Sequence, residues 1–243
     1  MDNTWLTIED IRGEVVLTKC YDKAKGEIII PDGVTKIGRW AFMDCKGLTS
    51  IVFPDSVKSI GDKAFKGCYN LTSIIIPNSV TSIDEHAFGD CKSLTSIEIP
   101  DSVRSIRNGT FSGCKSLISI KIPNSVTSIG SGAFRCCYSL TSIDIPNSVQ
   151  RIGNEAFKCC ESLISIKIPD GVTCIERFTF IFCDNLVSVE IPESVTSIRY
   201  GAFCGCKSLA SIKIPNNFTN IEDGAFDGYE SLTTSKLKTT NKD

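Results

Sequence analysis

A single histidine, two tryptophans and two methionines are all that this 243-residue chain holds of those types, and each scarcity removes a class of function. His86 has no serine or cysteine beside it in a nucleophile motif, which excludes most catalytic triads. No second ligand pair stands at zinc-finger spacing from Cys136-Cys137 or from Cys204 and Cys206, and His86 is about five repeats from Cys204, so a zinc-finger set of ligands is also missing. No apolar run approaches the roughly 20 residues of a membrane-crossing helix, so no membrane insertion is expected. A formal net charge of −2 offers no field to attract nucleic acid or an anionic bilayer. The opening Met1-Asp2-Asn3-Thr4-Trp5 runs on to Glu9-Asp10 with neither a basic start nor an apolar segment, so no signal peptide is expected within this chain. No glycine-rich loop is shaped to cradle phosphate; the glycines recur once or twice per repeat as turn residues. No carboxylate pair is singled out for acid–base work. The expectation is a chain that is not an enzyme, with no catalytic residue, no cofactor and no metal.

Proline is sparse but evenly spaced. All nine prolines, from Pro31 and Pro54 to Pro192 and Pro215, stand 23 residues apart. They mark the pattern I-x-I-P-x-S-V-x-x-I-x-x-x-A-F-x-x-C-x-x-L-x-S, which runs nine times without a gap over residues 28–234. Self-similarity at a period in the twenties means a solenoid, in which each coil buries its apolar side only against its neighbours. In Leu48-Thr49-Ser50-Ile51-Val52-Phe53-Pro54 the end alternates as a half-buried strand does. Proline follows at once, lacking the N–H a ladder needs. Nine such strands predict one parallel sheet. The stretch I-G-x-x-A-F-x-x-C predicts a short helical turn on the opposite side, with phenylalanine (Phe42 through Phe226) and cysteine inward. On this reading His86 is a solvated side chain of such a turn.

Thirteen cysteines would ordinarily imply a disulfide framework. Eight of them, Cys45, Cys68, Cys91, Cys114, Cys137, Cys160, Cys183 and Cys206, share one repeat position and read as a ladder of small buried side chains. Tyr229 takes that place in the ninth repeat. Cys20, Cys136, Cys159, Cys174 and Cys204 remain. The thiols are expected reduced, with Cys204 and Cys159 the first to react in the native state.

The motif L-x-x-I-x-I-P-x-S-V-x-x-I-G-x-x-A-F-x-x-C resembles the BspA-like leucine-rich repeat, found in bacterial and protozoan surface proteins. Where the commoner leucine-rich repeat has an asparagine after the strand, Ser56, Ser79, Ser102, Ser125, Ser148 and Ser194 stand here. The resemblance implies an α/β solenoid: a right-handed superhelix of nine coils, one parallel sheet and short helical turns opposite. It divides the chain into an N-terminal hairpin cap (1–27, with Val15–Lys19 as a strand and Asp22–Gly26 as a turn into Ile28), the repeats (28–234), and a terminal strand and tail (235–243). It also implies a protein-binding, adhesin-like role at a cell surface. The alternative is a spacer that presents other domains of a longer protein, and nothing in the residues themselves excludes a cytoplasmic setting. Carbohydrate binding is disfavoured, because outward aromatics are missing from the sheet.

Two surfaces break the pattern. Between the strand isoleucines one column reads Ile29, Val52, Ile75, Glu98, Lys121, Asp144, Lys167, Glu190, Lys213. From Glu98 onward its charges alternate, as a self-neutralising ladder would. Ile29, Val52 and Ile75 are open to three readings: a binding patch, a surface covered by the N-terminal segment, or plain exposed strand residues. The second surface is repeat seven, where Phe178, Ile181 and Phe182 replace residues such as Lys63, Glu155, Lys66, Ser112, Asp44 and Asp90, with Tyr200 nearby. It is expected to face outward as an apolar patch for a partner protein or for a homodimer, or else to reflect local repacking. Large aromatics concentrate contact energy, which favours this second surface.

Overall fold

The computed structural model describes residues 5–21, 24–210, 212–215 and 217–228. Among these residues the chain is a β-solenoid of about nine turns, and it holds no helix. It begins with a hairpin, β1 (Leu6–Ile11) and β2 (Glu14–Cys20). The two linking residues Arg12 and Gly13 both take positive φ, at 57° and 83°, the turn that matches the twist of paired strands. The antiparallel partner of Val15–Lys19 is therefore the strand before it. The hairpin extends the array through β2, which pairs in parallel with β4 (Lys36–Ile37).

Each coil contributes to two narrow parallel ladders, where the sequence predicts one sheet. The first joins β3 (Gly26–Ile29) to β5 (Leu48–Val52), Ser96–Glu98 to Ser119–Lys121, and Ser165–Lys167 to Ser188–Glu190. Single bridges at Ile75–Glu98 and Lys121–Asp144 extend the middle pair by one coil on each side. Proline then closes the strand, and its carbonyl accepts from the valine N–H three residues on, as Val126 donates to Pro123 at 3.0 Å. Past this turn a two-residue strand forms at the x-Ile position. These strands run from β4 and β6 (Ser59–Ile60) to Ser197–Ile198 and Asn220–Ile221.

The expected helical turns are replaced by a stack of tight turns, which corrects the fold class from α/β to a β-solenoid. Two positions per coil are left-handed. One is the column of Trp40, Lys63, His86, Glu155 and Phe178, shared with Gly109, Gly132 and Gly201. The other is the column of Asp44, Asp90, Cys136, Cys159 and Phe182, shared with Gly67, Gly113 and Gly205. An α-helix cannot contain such residues in series. Its amides would also turn inward to the same segment, whereas here they reach the next coil: Phe134 N donates to Ala156 O at 2.8 Å and Cys136 N to Lys158 O at 2.7 Å.

Three side-chain columns lock the coils. Phenylalanines from Phe42 to Phe226 stack face to face, for example Phe88 on Phe111 at 5.7 Å and Phe157 on Phe180 at 5.5 Å. Those from Phe42 to Phe203 are fully buried, and Phe226 is partly so. The eight ladder cysteines are fully buried, and those from Cys68 onward donate Sγ–H to the phenylalanine carbonyl of the preceding coil, as Cys114 does to Phe88 O at 3.2 Å. The six serines that stand two residues after a proline donate to the valine carbonyl one coil back, Ser79 to Val57 O at 2.7 Å, which gives the serine an asparagine-like bridging role. Where alanine gives way to Thr110 and Thr179, both buried, the hydroxyls are satisfied by Arg107 O and Glu176 O at 2.8 and 2.7 Å. The terminal strand expected from Ser235 and the Tyr229 substitution lie outside the described residues.

Candidate binding surfaces

In each first-ladder segment the leucine and the first isoleucine point inward, as Leu48 and Ile51 do, while Thr49 and Val52 face out. Ile29, Val52 and Ile75 all stand exposed, Ile75 by 83%. The hairpin does not cover them, because β2 docks on the other ladder. Two open grooves flank Ile75. One of about 410 Å³ runs over Ser96, Glu98 and Lys121, and one of about 780 Å³ over Val52, Phe53 and Asn78.

A second apolar column on this face was not foreseen. Ile118, Ile164 and Val187 are exposed at the place that Thr49, Thr72 and Thr95 fill in earlier coils. There the threonine hydroxyls bond back one coil, Thr72 Oγ1 to Thr49 O at 3.3 Å. Isoleucine keeps only the backbone bond, Ile118 N to Thr95 O at 3.0 Å. The signal was present as Thr-to-Ile replacement after the repeat leucine, and it was hidden because leucine-isoleucine runs read as core.

The alternating column from Glu98 to Lys213 is in register, with Glu98 opposite Lys121 and Lys167 opposite Glu190. Among the described residues, however, no ion pair within 4 Å closes along it. Pairs form on the turns instead, such as Arg39–Asp62 at 2.9 Å and Arg199–Glu222 at 2.8 Å. An exposed pair gains at most about 1 kcal/mol against the entropy of two ordered side chains, so solvation wins on an open face. The expected self-neutralising ladder is thus a row of separately solvated charges.

On the convex side the repeat-seven residues separate. Ile181, expected to face outward, is buried with 7% exposure. Phe178 is half-buried, and its ring lies where a Cβ on Gly201 would come within 2.5 Å of it; Phe182 covers Gly205 in the same way, at 2.6 Å. The edge of Phe178 meets Tyr200 with ring centroids 5.4 Å apart. Glu222 fixes Tyr200 by accepting its backbone N–H at 2.8 Å. The Arg199 guanidinium, together with that N–H, holds the Glu222 carboxyl below its ordinary range. Phe182 and Tyr200 remain about half exposed. The structure therefore gives Phe178 and Phe182 an intramolecular task, covering a glycine of the next coil, that single-repeat reading misses.

A family model described as the BspA type leucine-rich repeat region matches residues 18–139, 81–186 and 127–243, which together span most of the chain. The chain belongs to the BspA-type leucine-rich repeat family. A solved leucine-rich repeat protein of T. pallidum is 32% identical to it with a TM-score of 0.61, over 86% of this chain and 90% of that one. A leucine-rich cell surface protein of Faecalibacterium prausnitzii is 29% identical with a TM-score of 0.60, over 96% of this chain and 86% of that one. The pneumococcal vaccine antigen PcpA, at 18% identity and a TM-score of 0.59 over 96% of this chain and 80% of that one, shares the fold. No curated protein matches the sequence.

In this BspA-type array His86 lies over Gly109 in a shallow polar groove with Ser112, Ser131 and Glu155. Among the described residues no hydrogen bond joins His86 to a serine. Burial, with Lys66 and Lys63 beside it, holds the imidazole below its ordinary pKa. Among the same residues no three potential metal-ligating side chains come together. Burial pushes the ladder thiols from Cys68 onward far up, Cys206 to about 12. Burial likewise raises Cys159 and Cys204, which are only partly covered.

Proposed function

We propose that this chain is a non-enzymatic scaffold that takes a protein partner on its concave face, centred on Ile29, Val52 and Ile75. The observation that carries the reading is the outward stand of Ile75 between two open grooves, with no segment among the described residues folded over it. Ile118, Ile164 and Val187 continue the apolar surface along the neighbouring column, and the unpaired alternating charges beside it give a partner directional contacts. A cell-surface, adhesin-like setting is supported by the Faecalibacterium relative, whose description is of a cell surface protein. A spacer that presents other domains is the competing role, and it needs no conserved chemistry on either face.

The test immobilises the chain and captures proteins of its native organism, comparing wild type with Val52→Glu/Ile75→Lys and with Phe182→Asp. Loss of capture with the first variant alone supports the concave face. Equal capture by all three, with no partner above the level of an unrelated solenoid, supports the spacer.

The half-exposed pair Phe182 and Tyr200 favours a second reading, a homodimer or partner contact on the convex side that also engages Phe178, with Ile181 as its buried support. Light scattering at increasing concentration measures it. A dimer abolished by Phe178→Lys/Phe182→Asp, both types found in sister coils, would place self-association there.

A further inference from the structure

Two thiols stand outside the buried ladder in one left-handed column of consecutive coils. Cys136 and Cys159 are both half-buried, and both have a φ of 58°. Each gives its N–H to the following coil, Cys136 to Lys158 O at 2.7 Å and Cys159 to Ile181 O at 2.8 Å. The same backbone conformation in register sends the two side chains off in the same direction, one coil apart. Hydrogen-bonded parallel neighbours lie about 4.8 Å apart, inside the roughly 4.4–6.8 Å range of Cα separations that a disulfide spans.

Burial raises the Cys159 thiol and the Cys136 thiol beside it raises it further, and the Tyr138 hydroxyl is raised by Cys136 in the same way. Ladder cysteines follow one another at a similar spacing, but Cys137 and Cys160 are fully buried with Sγ–H committed to Phe111 O and Phe134 O. Cys174 and Cys204, also half-buried, belong to other columns. Register and access coincide at Cys136 and Cys159.

We propose that Cys136 and Cys159 form an oxidisable dithiol, closed to a disulfide between coils five and six by a small-molecule disulfide such as oxidised glutathione. One cysteine, as thiolate, attacks a sulfur of the oxidant and expels one glutathione thiolate. The second cysteine attacks the resulting mixed disulfide and expels the other. Two electrons pass to glutathione, the two cysteine protons end on its two thiols, and one S–S bond joins the coils. Side chains related by a coil translation start with their Cβ atoms about 1 Å farther apart than in a relaxed disulfide, so closure draws the convex side together there and leaves the bond readily reduced.

The test incubates the purified full chain with oxidised glutathione, traps remaining thiols by alkylation, then denatures it and applies a second alkylating label. Non-reducing digestion and fragmentation mass spectrometry locate each sulfur. The expected result is a Cys136–Cys159 cross-link, two fewer native thiols, Cys137 and Cys160 carrying only the second label, and full reversal by dithiothreitol. Cys136→Ser should abolish the cross-link and leave Cys159 as a glutathione adduct; Cys159→Ser should do the converse. Stable adducts on both cysteines without a link, a link to a ladder cysteine, or oxidation confined to Cys204 would overturn the proposal.

Discussion

At the scale of a residue, the repeat cysteine is chosen for being small and for carrying a donor. Phe88 O receives both the Cys91 N–H of its own turn and the Cys114 Sγ–H of the next coil, at 3.2 Å each. A thiol held this way must stay protonated. Cys206 titrates near 12 in the folded chain against an ordinary value of 9.0, so above pH 9 the unfolded chain sheds protons that the folded one retains. Stability is then full below pH 9 and declines as the pH climbs toward 12, the slope steepened by the other ladder thiols. Denaturant titrations at pH 8 and pH 10.5 should show the midpoint falling at the higher pH; an unchanged midpoint would mean that these thiols ionise in place. The phenylalanine beside each cysteine is held by packing alone. Phe134→Ala should remove about 3–5 kcal/mol, measured by urea unfolding.

At the scale of an element, the turn stack shows how far sequence reasoning reached. Prolines, alternating strand ends and the inward Phe, Cys and Leu columns were legible because each is a one-dimensional pattern, and each predicts its partner one coil away. The helix prediction failed because I-G-x-x-A-F-x-x-C has the inward spacing of a helical turn, while the left-handed residues inside it include Trp40, Lys63, Glu155 and Phe178, types that rarely adopt positive φ. The corrective signal was the recurrence of glycine in those same columns, at Gly109, Gly132 and Gly201 and at Gly67, Gly113 and Gly205. The candidate surface was half legible: Ile29, Val52 and Ile75 were found, and the Ile118 column was not. A double-mutant cycle tests the cover that Phe178 gives Gly201. Gly201→Ala should cost about 1–3 kcal/mol, from a strained φ of 64° and the clash with the ring. Phe178→Lys in the same chain should recover the clash portion. Additivity of the two substitutions would show that the ring does not cover that glycine.

At the scale of the molecule, nearly every long-range bond joins adjacent coils, so cooperativity is passed from neighbour to neighbour. Removing one whole repeat, residues 97–119, should leave a folded array with unchanged circular dichroism per residue and a lower midpoint. Removing 12 residues from the same place should abolish folding, because the Phe, Cys and Ser columns all fall out of step. Parallel urea titrations of the two deletions distinguish these outcomes.

The amides of the turn stack also give the solenoid a direction. Between the two left-handed columns the donors point the same way, from Trp40, Phe42 and Asp44 to the next coil and onward to Phe203 and Gly205 reaching Ala225 and Asp227, while flanking amides such as Gly61 and Ser93 donate back to Ile37 O and Tyr69 O. Aligned peptide dipoles add, so this stack has a carbonyl pole toward the hairpin, where Cys20 N meets Ala41 O, and an amide pole toward Glu222, Asp223 and Asp227. Two such rods meeting end to end along this side would be matched only head to tail, which is the arrangement that grows filaments and not closed pairs.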